Sequence, residues 1–284
     1  MQPTRQSSLA RAVATLAAAG IATPEREARL LLRWALELDA TALARDPDAE
    51  MSEAEVARFD RGVALRAERR PFSQIAGERA FWGRDYFVTA ATLDPRPETE
   101  ALIAAALEGT PAARIADLGT GTGCILISLL AEWPEAEGLG TDISQSALAI
   151  AAENAARHAV GARARWRQTS WLSGEAGPFD LIVSNPPYVT AAEHAMLAPE
   201  TRLFEPLEAL VPAPDPAADG LGAYRALLPM AASCLVPGGR LLLEIGWCQG
   251  PAVLALAEAE GFEALRIVQD LDGRDRVVAA RMPL

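Results

Sequence analysis

Along the first 75 residues apolar positions recur every three or four, the period of a helix with one buried face. Leu9, Val13, Leu16 and Ala17 share such a face, and Gly20 marks its stop. Thr23 before Pro24 reads as an N-cap with proline at the first helical position, and Ala28, Leu31, Leu32, Ala35 and Leu38 follow on one side. Ser52 and Glu55 predict a capping box for a further helix carrying Val56, Phe59 and Val63. Arg66, Arg69 and Arg70 cluster at its end and read as a solvated face that complements the helix dipole.

The pattern changes between Pro71 and Asp94. Phe81-Trp82-Gly83, Tyr86-Phe87-Val88 and Thr92-Leu93 predict a short β-hairpin bridging two domains. Pro95-Arg96-Pro97-Glu98-Thr99-Glu100 is a rigid turn into a helix from Ala101 to Leu107, and on physics alone a plain proline-rich linker serves equally well. From Ala113 onward, strand-like apolar runs alternate with helical periods. Strands are expected at 114–118, 138–141, 164–168, 179–184, 240–245, 265–268 and 276–281. Such alternation predicts an α/β fold with a parallel, doubly wound sheet. The expected division is 1–75 helical, 76–100 hairpin linker and 101–284 sheet domain.

Composition narrows the function classes. The 284 residues are 50% hydrophobic and 23% charged, enough for one large domain or for two with one small. A formal net charge of −12 repels phosphate backbones and disfavours non-specific nucleic-acid binding. All 26 basic residues are Arg, so a Walker lysine is impossible. Cys124, Cys234 and Cys248 lack metal-type spacing and fit free thiols in a reducing cytoplasm, and no metal is expected. His158 in a helical pattern and His194 in a loop read as surface residues. The alanine-rich stretch after Arg5 and Arg11 continues straight into helix and reads as helix rather than as a targeting segment. No apolar run is long enough to span a membrane.

Candidate chemistry concentrates at two strand ends. Phe179 to Ser184 is a short apolar run that breaks at Asn185-Pro186-Pro187-Tyr188. Proline holds the residue before it extended, so Asn185 sits at a strand's carboxyl end, where open α/β sheets bind ligands. The Asn185 side-chain oxygen and the Pro186 carbonyl are two adjacent acceptors, suited to a planar –NH₂ group, and Tyr188 would cover its face. The bland alternative is a rigid turn. Upstream, the strand ending in Asp117 runs into Gly119-Thr120-Gly121-Thr122-Gly123, a turn whose backbone can approach a ligand. Asp142, about 20 residues on at the end of the next strand, is placed to bind ribose hydroxyls. Cys124 stands where the dinucleotide fingerprint needs Gly or Ala. Trp171, after the third strand, is a candidate to stack on adenine or a rim core residue.

The G-x-G-x-G turn with Asp117 before it resembles the S-adenosylmethionine site of class I methyltransferases. There the first acid faces the methionine part of the cofactor and Asp142 takes the ribose. With Phe81-Trp82-Gly83, Pro95 to Glu100, Asn185 to Tyr188, Phe204-Glu205-Pro206-Leu207 and Leu243-Glu244-Ile245-Gly246 added, nearly the whole chain resembles the HemK/PrmC family, the peptide chain release factor glutamine methyltransferases. The resemblance implies a Rossmann-like seven-stranded methyltransferase domain with a small all-helical N-terminal domain joined by a β-hairpin. It implies a cytoplasmic enzyme that methylates the glutamine amide of a Gly-Gly-Gln motif in release factors, with Asn185, Pro186, Pro187 and Tyr188 as its catalytic motif. Ser170 departs from the Asp that relatives carry before the Trp, which puts the adenine-side contact at Ser170 in question. Three rival readings stand beside it: a ribosomal-protein glutamine methyltransferase, a DNA adenine-N6 methyltransferase, and an inactive cofactor-binding scaffold. Adenine's amino group fits the same Asn-Pro-Pro-Tyr geometry, but a net charge of −12 with no Lys argues against the DNA enzyme, and intact Asn185 and Tyr188 argue against the scaffold.

Overall fold

A computed structural model of the chain describes residues 2–175 and 177–284. The helices are α1 (Arg5–Ala18), α2 (Pro24–Leu36), α3 (Ala40–Arg45), α4 (Glu53–Ala67), α5 (Phe72–Ala76), α6 (Glu100–Leu107), α7 (Cys124–Glu132), α8 (Gln145–Arg157), α9 (Ala191–Met196), α10 (Pro199–Phe204), α11 (Gly222–Cys234) and α12 (Gly250–Ala259). The strands are β1 (Glu78–Phe81), β2 (Arg84–Phe87), β3 (Arg114–Leu118), β4 (Glu137–Asp142), β5 (Ala164–Gln168), β6 (Phe179–Ser184), β7 (Leu235–Glu244), β8 (Glu263–Gln269) and β9 (Asp275–Arg281).

Two compact units emerge, Met1–Gly77 together with Ala198–Phe204, and Glu78–Leu197 together with Glu205–Leu284. In the first, the predicted faces of α1, α2 and α4 close on one core of Leu16, Leu31, Leu32, Phe59 and Met51, all fully buried. Ser52 and Glu55 form the capping box. Thr23 occupies the N-cap of α2 but its side chain makes no capping bond, so Pro24 alone sets that start.

The arginine cluster is not a solvated face. Arg66 is only 7% exposed; it donates to Glu27 at 2.8 Å and to Glu200 at 3.0 Å, and Arg69 reaches the same Glu200 oxygen at 3.1 Å. Arg70 lies over the Phe204 ring at 5.1 Å, and Gln74 donates to the Phe204 carbonyl at 2.8 Å. These partners, distant in sequence, tie α10 into the helical unit. Nothing local announces them. Glu200→Ala removes the acceptor shared by Arg66, which keeps Glu27, and Arg69, which keeps the Gly20 carbonyl, and is expected to lower stability by about 2 kcal/mol in urea denaturation.

In the second unit β1 and β2 pair antiparallel around Trp82-Gly83, both at positive φ, a turn whose twist matches the strands. Thr92-Leu93 lies outside both strands. The seven-stranded sheet has the order β5-β4-β3-β6-β7-β9-β8, parallel except that β9 opposes its neighbours. The chain leaves β3 for β4 and β5 on one side and returns to β6 on the other, which makes the carboxyl ends of β3 and β6 a switch point. Apolar side chains fill both faces of the central strands. Ile115, Leu126, Leu129 and Leu181 pack on one side, and Leu118, Ile182, Tyr224 and Leu241 on the other. That is why β3 and β6 read as continuous rather than alternating apolar runs.

One polar side chain locks this frame to the glycine-rich turn. Asn154 of α8 is fully buried, accepts from the Phe87 N–H at 2.7 Å, and donates to the carbonyls of Phe87 at 3.0 Å and Thr122 at 2.9 Å. Asn154→Ala removes its hydrogen bonds to three backbone groups, two on half-buried Phe87 and one on buried Thr122. The expected cost is about 3 kcal/mol by chemical denaturation.

Candidate active site

Sheet register assembles the site. Leu118 of β3 lies opposite Thr141 of β4 and Ser184 of β6. The residues that follow each strand end, the Gly119–Gly123 turn, Asp142 and Asn185, therefore leave the sheet at one level and side by side. The Ser184 hydroxyl donates to the Leu118 carbonyl at 2.6 Å and fixes the two central ends to each other.

Above these ends lies a cavity of about 480 Å³, within the size range of sites for drug-sized ligands. Gly119, Thr120, Gly121, Thr122, Asp142, Ser170, Trp171, Asn185 and Pro187 line it. Of the other residues expected at the site, Asp117, Gly123, Pro186 and Tyr188 are not among the lining residues but adjoin residues that are.

The turn explains why glycines are needed. Gly119, Gly121 and Gly123 all have positive φ, at 69°, 54° and 78°. At Gly121 an added Cβ would point into open space, so backbone alone faces the cavity there. At Gly123 it would come within 2.9 Å of Ile127 and 3.1 Å of Ala151, so this glycine allows α7 to start close against α8. Asp142 accepts from the Gly121 N–H at 3.0 Å and from the Ser144 N–H at 2.9 Å, holding the turn and the start of α8 with one carboxylate. The Thr120 hydroxyl donates to Asp117 at 2.6 Å, while the second Asp117 oxygen is buried without a hydrogen-bond partner. Trp171 has φ of 52°, and its ring lies 3.6 Å from where a Cβ of Gly119 would be. The indole thus both lines the cavity and packs on the apolar cluster beneath.

Several further groups complete the site, some of them from stretches the sequence marks only through the family resemblance. Thr99 lines the cavity, and its hydroxyl accepts from the Asn185 amide nitrogen at 3.3 Å, so the proline-rich stretch is part of the wall. Arg96 donates to the buried Glu205 at 2.5 Å. Pro206, Glu208 and Ala209 and the segment from Val211 to Pro214 add a further wall. Tyr188 turns its hydroxyl to Glu244 at 3.3 Å and packs on the apolar cluster. His158 lies tilted against Tyr86 with ring centroids 4.9 Å apart and bonds the Asp85 carbonyl, and His194 falls within α9 rather than in a loop; both are half-buried. Among the described residues no cluster of His, Cys, Asp and Glu suits a metal ion, and no helix is long and apolar enough to cross a membrane.

Burial dominates the electrostatics. It pushes the carboxyls of Asp117, Glu205 and Glu244 up to about 7, against the lowering effect of the hydrogen bonds each accepts. It raises Asp142 too, opposed by the N–H groups of Ser144 and Gly121. A carboxyl raised in the folded state binds its proton more tightly folded than unfolded. Its stability contribution is therefore fully present below the unfolded value and is lost as pH rises through the folded one. The ligand-free protein is expected to lose melting temperature as pH climbs from about 4 to about 7, and Asp117→Asn to flatten part of that slope.

The donor set fits S-adenosylmethionine. The acidic Asp142 lies at the second strand end, glycine backbone faces open space, an indole flanks the turn, and an unpaired buried carboxylate oxygen of Asp117 waits behind it.

Comparison with known proteins agrees. Residues 7–77 match the PrmC N-terminal domain and residues 91–210 the methyltransferase small domain. Among solved structures, a methyltransferase from Pyrococcus furiosus superposes with a TM-score of 0.54 at 15% identity, over 80% of this chain and 98% of its own, and so shares the fold. The chain is 43% identical to the release factor glutamine methyltransferase of Rhodospirillum rubrum, over 94% of this chain and 81% of the relative. Identity to the release factor glutamine methyltransferase of Cereibacter sphaeroides reaches 53%, covering 97% of this chain and 98% of the relative. At such identity along nearly the full length of both chains, this protein belongs to the release factor glutamine methyltransferase family.

Proposed function

We propose that the protein transfers a methyl group from S-adenosylmethionine to the side-chain amide nitrogen of the glutamine in the Gly-Gly-Gln motif of peptide chain release factors. The observation that carries this is Asn185 on the wall of a cavity that also holds the glycine-rich turn and Asp142, within a chain of this family. When bound, the cofactor supplies an electrophilic methyl on a sulfonium sulfur. Asp142 and the backbone of Gly119 to Gly123 are the groups that would hold it, with Trp171 beside the turn and Ser170 on the wall.

An amide nitrogen is a poor nucleophile, because its lone pair is delocalised into the carbonyl. Asn185 Oδ1 and the Pro186 carbonyl, both acceptors, receive its two N–H groups, fix its direction and stabilise the positive charge that develops on it. Pro187 limits the space around it, and Tyr188 closes the motif. The methylated nitrogen is acidic enough to lose its proton without a strong base, and the cavity wall presents no histidine. The helical unit recognises the protein substrate, and release-factor binding is expected to slow amide hydrogen exchange in α1, α2 and α4.

Mass spectrometry of a release factor after incubation with the protein and cofactor tests this directly. A single added methyl on the peptide containing Gly-Gly-Gln, located on the glutamine, is the expected result. A methyl elsewhere or none at all overturns it. A cytoplasmic location follows from a substrate of the translation machinery.

A further inference from the structure

The chemistry above leaves one buried acid at the site unused. Glu244 ends β7 and is only 1% exposed. Because β6 and β7 run parallel with Ser184 opposite Leu243, Glu244 comes one step later, beside Asn185. Its Oε1 accepts from the Tyr188 hydroxyl at 3.3 Å. Its Oε2 is buried, and no hydrogen bond of good geometry reaches it. The Thr99 hydroxyl is a neighbour whose hydrogen bonding holds this carboxyl down against its burial. The same hydroxyl accepts from Asn185 Nδ2 at 3.3 Å.

An asparagine amide can be turned over at almost no cost in shape, exchanging an acceptor for a donor. With Nδ2 on Thr99, Oδ1 is the end left for a substrate N–H. With the amide reversed, two donors would meet at the target nitrogen. A hydroxyl acts purely as an acceptor toward Asn185 only when its own proton is committed elsewhere. A carboxylate, which can only accept, commits it.

We propose that Glu244 is a positioning residue. It accepts hydrogen bonds from the Thr99 and Tyr188 hydroxyls, so that Thr99 can only accept from Asn185 Nδ2 and Asn185 Oδ1 faces the target amide. This rests on the reading of Asn185 as the acceptor for the substrate N–H. The titratable and charged groups around Glu244 are the Tyr188 hydroxyl, the Arg276 guanidinium from β9, Glu98 from the turn before α6 and the Cys124 thiol at the start of α7; Tyr224 from α11 bonds its main-chain carbonyl at 2.8 Å. Burial pushes the acid up to about 7, so its protonation near neutrality releases the hold on Thr99.

The test is a double-mutant cycle on methyl transfer to a release factor, with Glu244→Gln, Thr99→Val and both together. Gln keeps the shape but presents a donor at one end. Each single variant is expected to lower kcat by roughly ten- to a hundred-fold, leaving KM for the factor and Kd for S-adenosylmethionine within about two-fold. The double variant is expected to be no worse than the worse single, and Thr99→Ser to restore the rate. Multiplying effects, unchanged kcat in either single variant, or a loss carried by KM or Kd overturns the proposal.

An inactive wild-type protein would instead overturn the substrate reading, and the side-chain amide signals of Asn185 in NMR then decide. Signals that titrate near neutral pH in the wild type and stay flat in Glu244→Gln support the positioning role, and equal titration in both overturns it. Should Glu244→Gln fail to unfold cooperatively, Thr99→Val takes its place in that comparison.

Discussion

Replacing Asn185 with alanine is expected to lower kcat by roughly a hundred- to a thousand-fold, the range seen when one preorganised hydrogen-bonding group is removed from a developing charge. The reason is geometric. Asn185 leaves β6 beside the glycine-rich turn, on the wall of the cavity, with its amide nitrogen held by Thr99. Its oxygen remains to meet the substrate, and alanine removes that acceptor without touching Asp142 or the turn. Kd for S-adenosylmethionine is therefore expected to change by less than about three-fold, with the loss confined to the chemical step. Measuring kcat, KM and cofactor Kd on the same preparation separates the two. A variant that fails through cofactor affinity alone would make Asn185 a wall of the cofactor site rather than a group that handles the substrate.

Asp142→Ala is the second large effect and falls on the other side of that division. Both carboxylate oxygens are engaged by backbone, one on Gly121 and one on Ser144. Each still has a lone pair for a ligand hydroxyl. Alanine removes the ligand's acceptor and leaves the N–H of Gly121 without its partner in a turn where all three glycines sit at positive φ. Hydrogen bonds to a charged group contribute about 1.5–3 kcal/mol, so cofactor Kd is expected to rise by about ten- to a hundred-fold. Calorimetric titration with S-adenosylmethionine checks it. At saturating cofactor the variant is expected to recover most of its kcat, which Asn185→Ala does not.

The parts of this site that could be read from sequence are those whose chemistry is local. A glycine run after a strand, an acid at the next strand end and an Asn-Pro-Pro step each impose their backbone geometry on the residues beside them. The strands 114–118 and 179–184 are equally plain, because strands buried on both faces are largely apolar, while the exposed edge strand 164–168 shows itself only by the alternation around Trp166. What escaped depends on partners far away in the chain. Arg66 looked solvated because Glu200, its main partner, lies 134 residues on. Thr99 looked like part of a linker because its bond to Asn185 spans 86 positions. The Tyr188 hydroxyl is bonded to Glu244, 56 positions on, and no local pattern announces that pairing. The wall from Pro206 to Pro214 has no periodicity at all, and only the cavity shows its place.

The central claim is that the two acceptors of the Asn185-Pro186 step take a glutamine amide rather than an adenine amino group. Methyl transfer from labelled S-adenosylmethionine, run side by side on an intact release factor, on the same factor with the Gly-Gly-Gln glutamine replaced, and on double-stranded DNA, tests it most directly. The account predicts label on the intact factor alone. Label on DNA, or equal label on the glutamine-replaced factor, would contradict it.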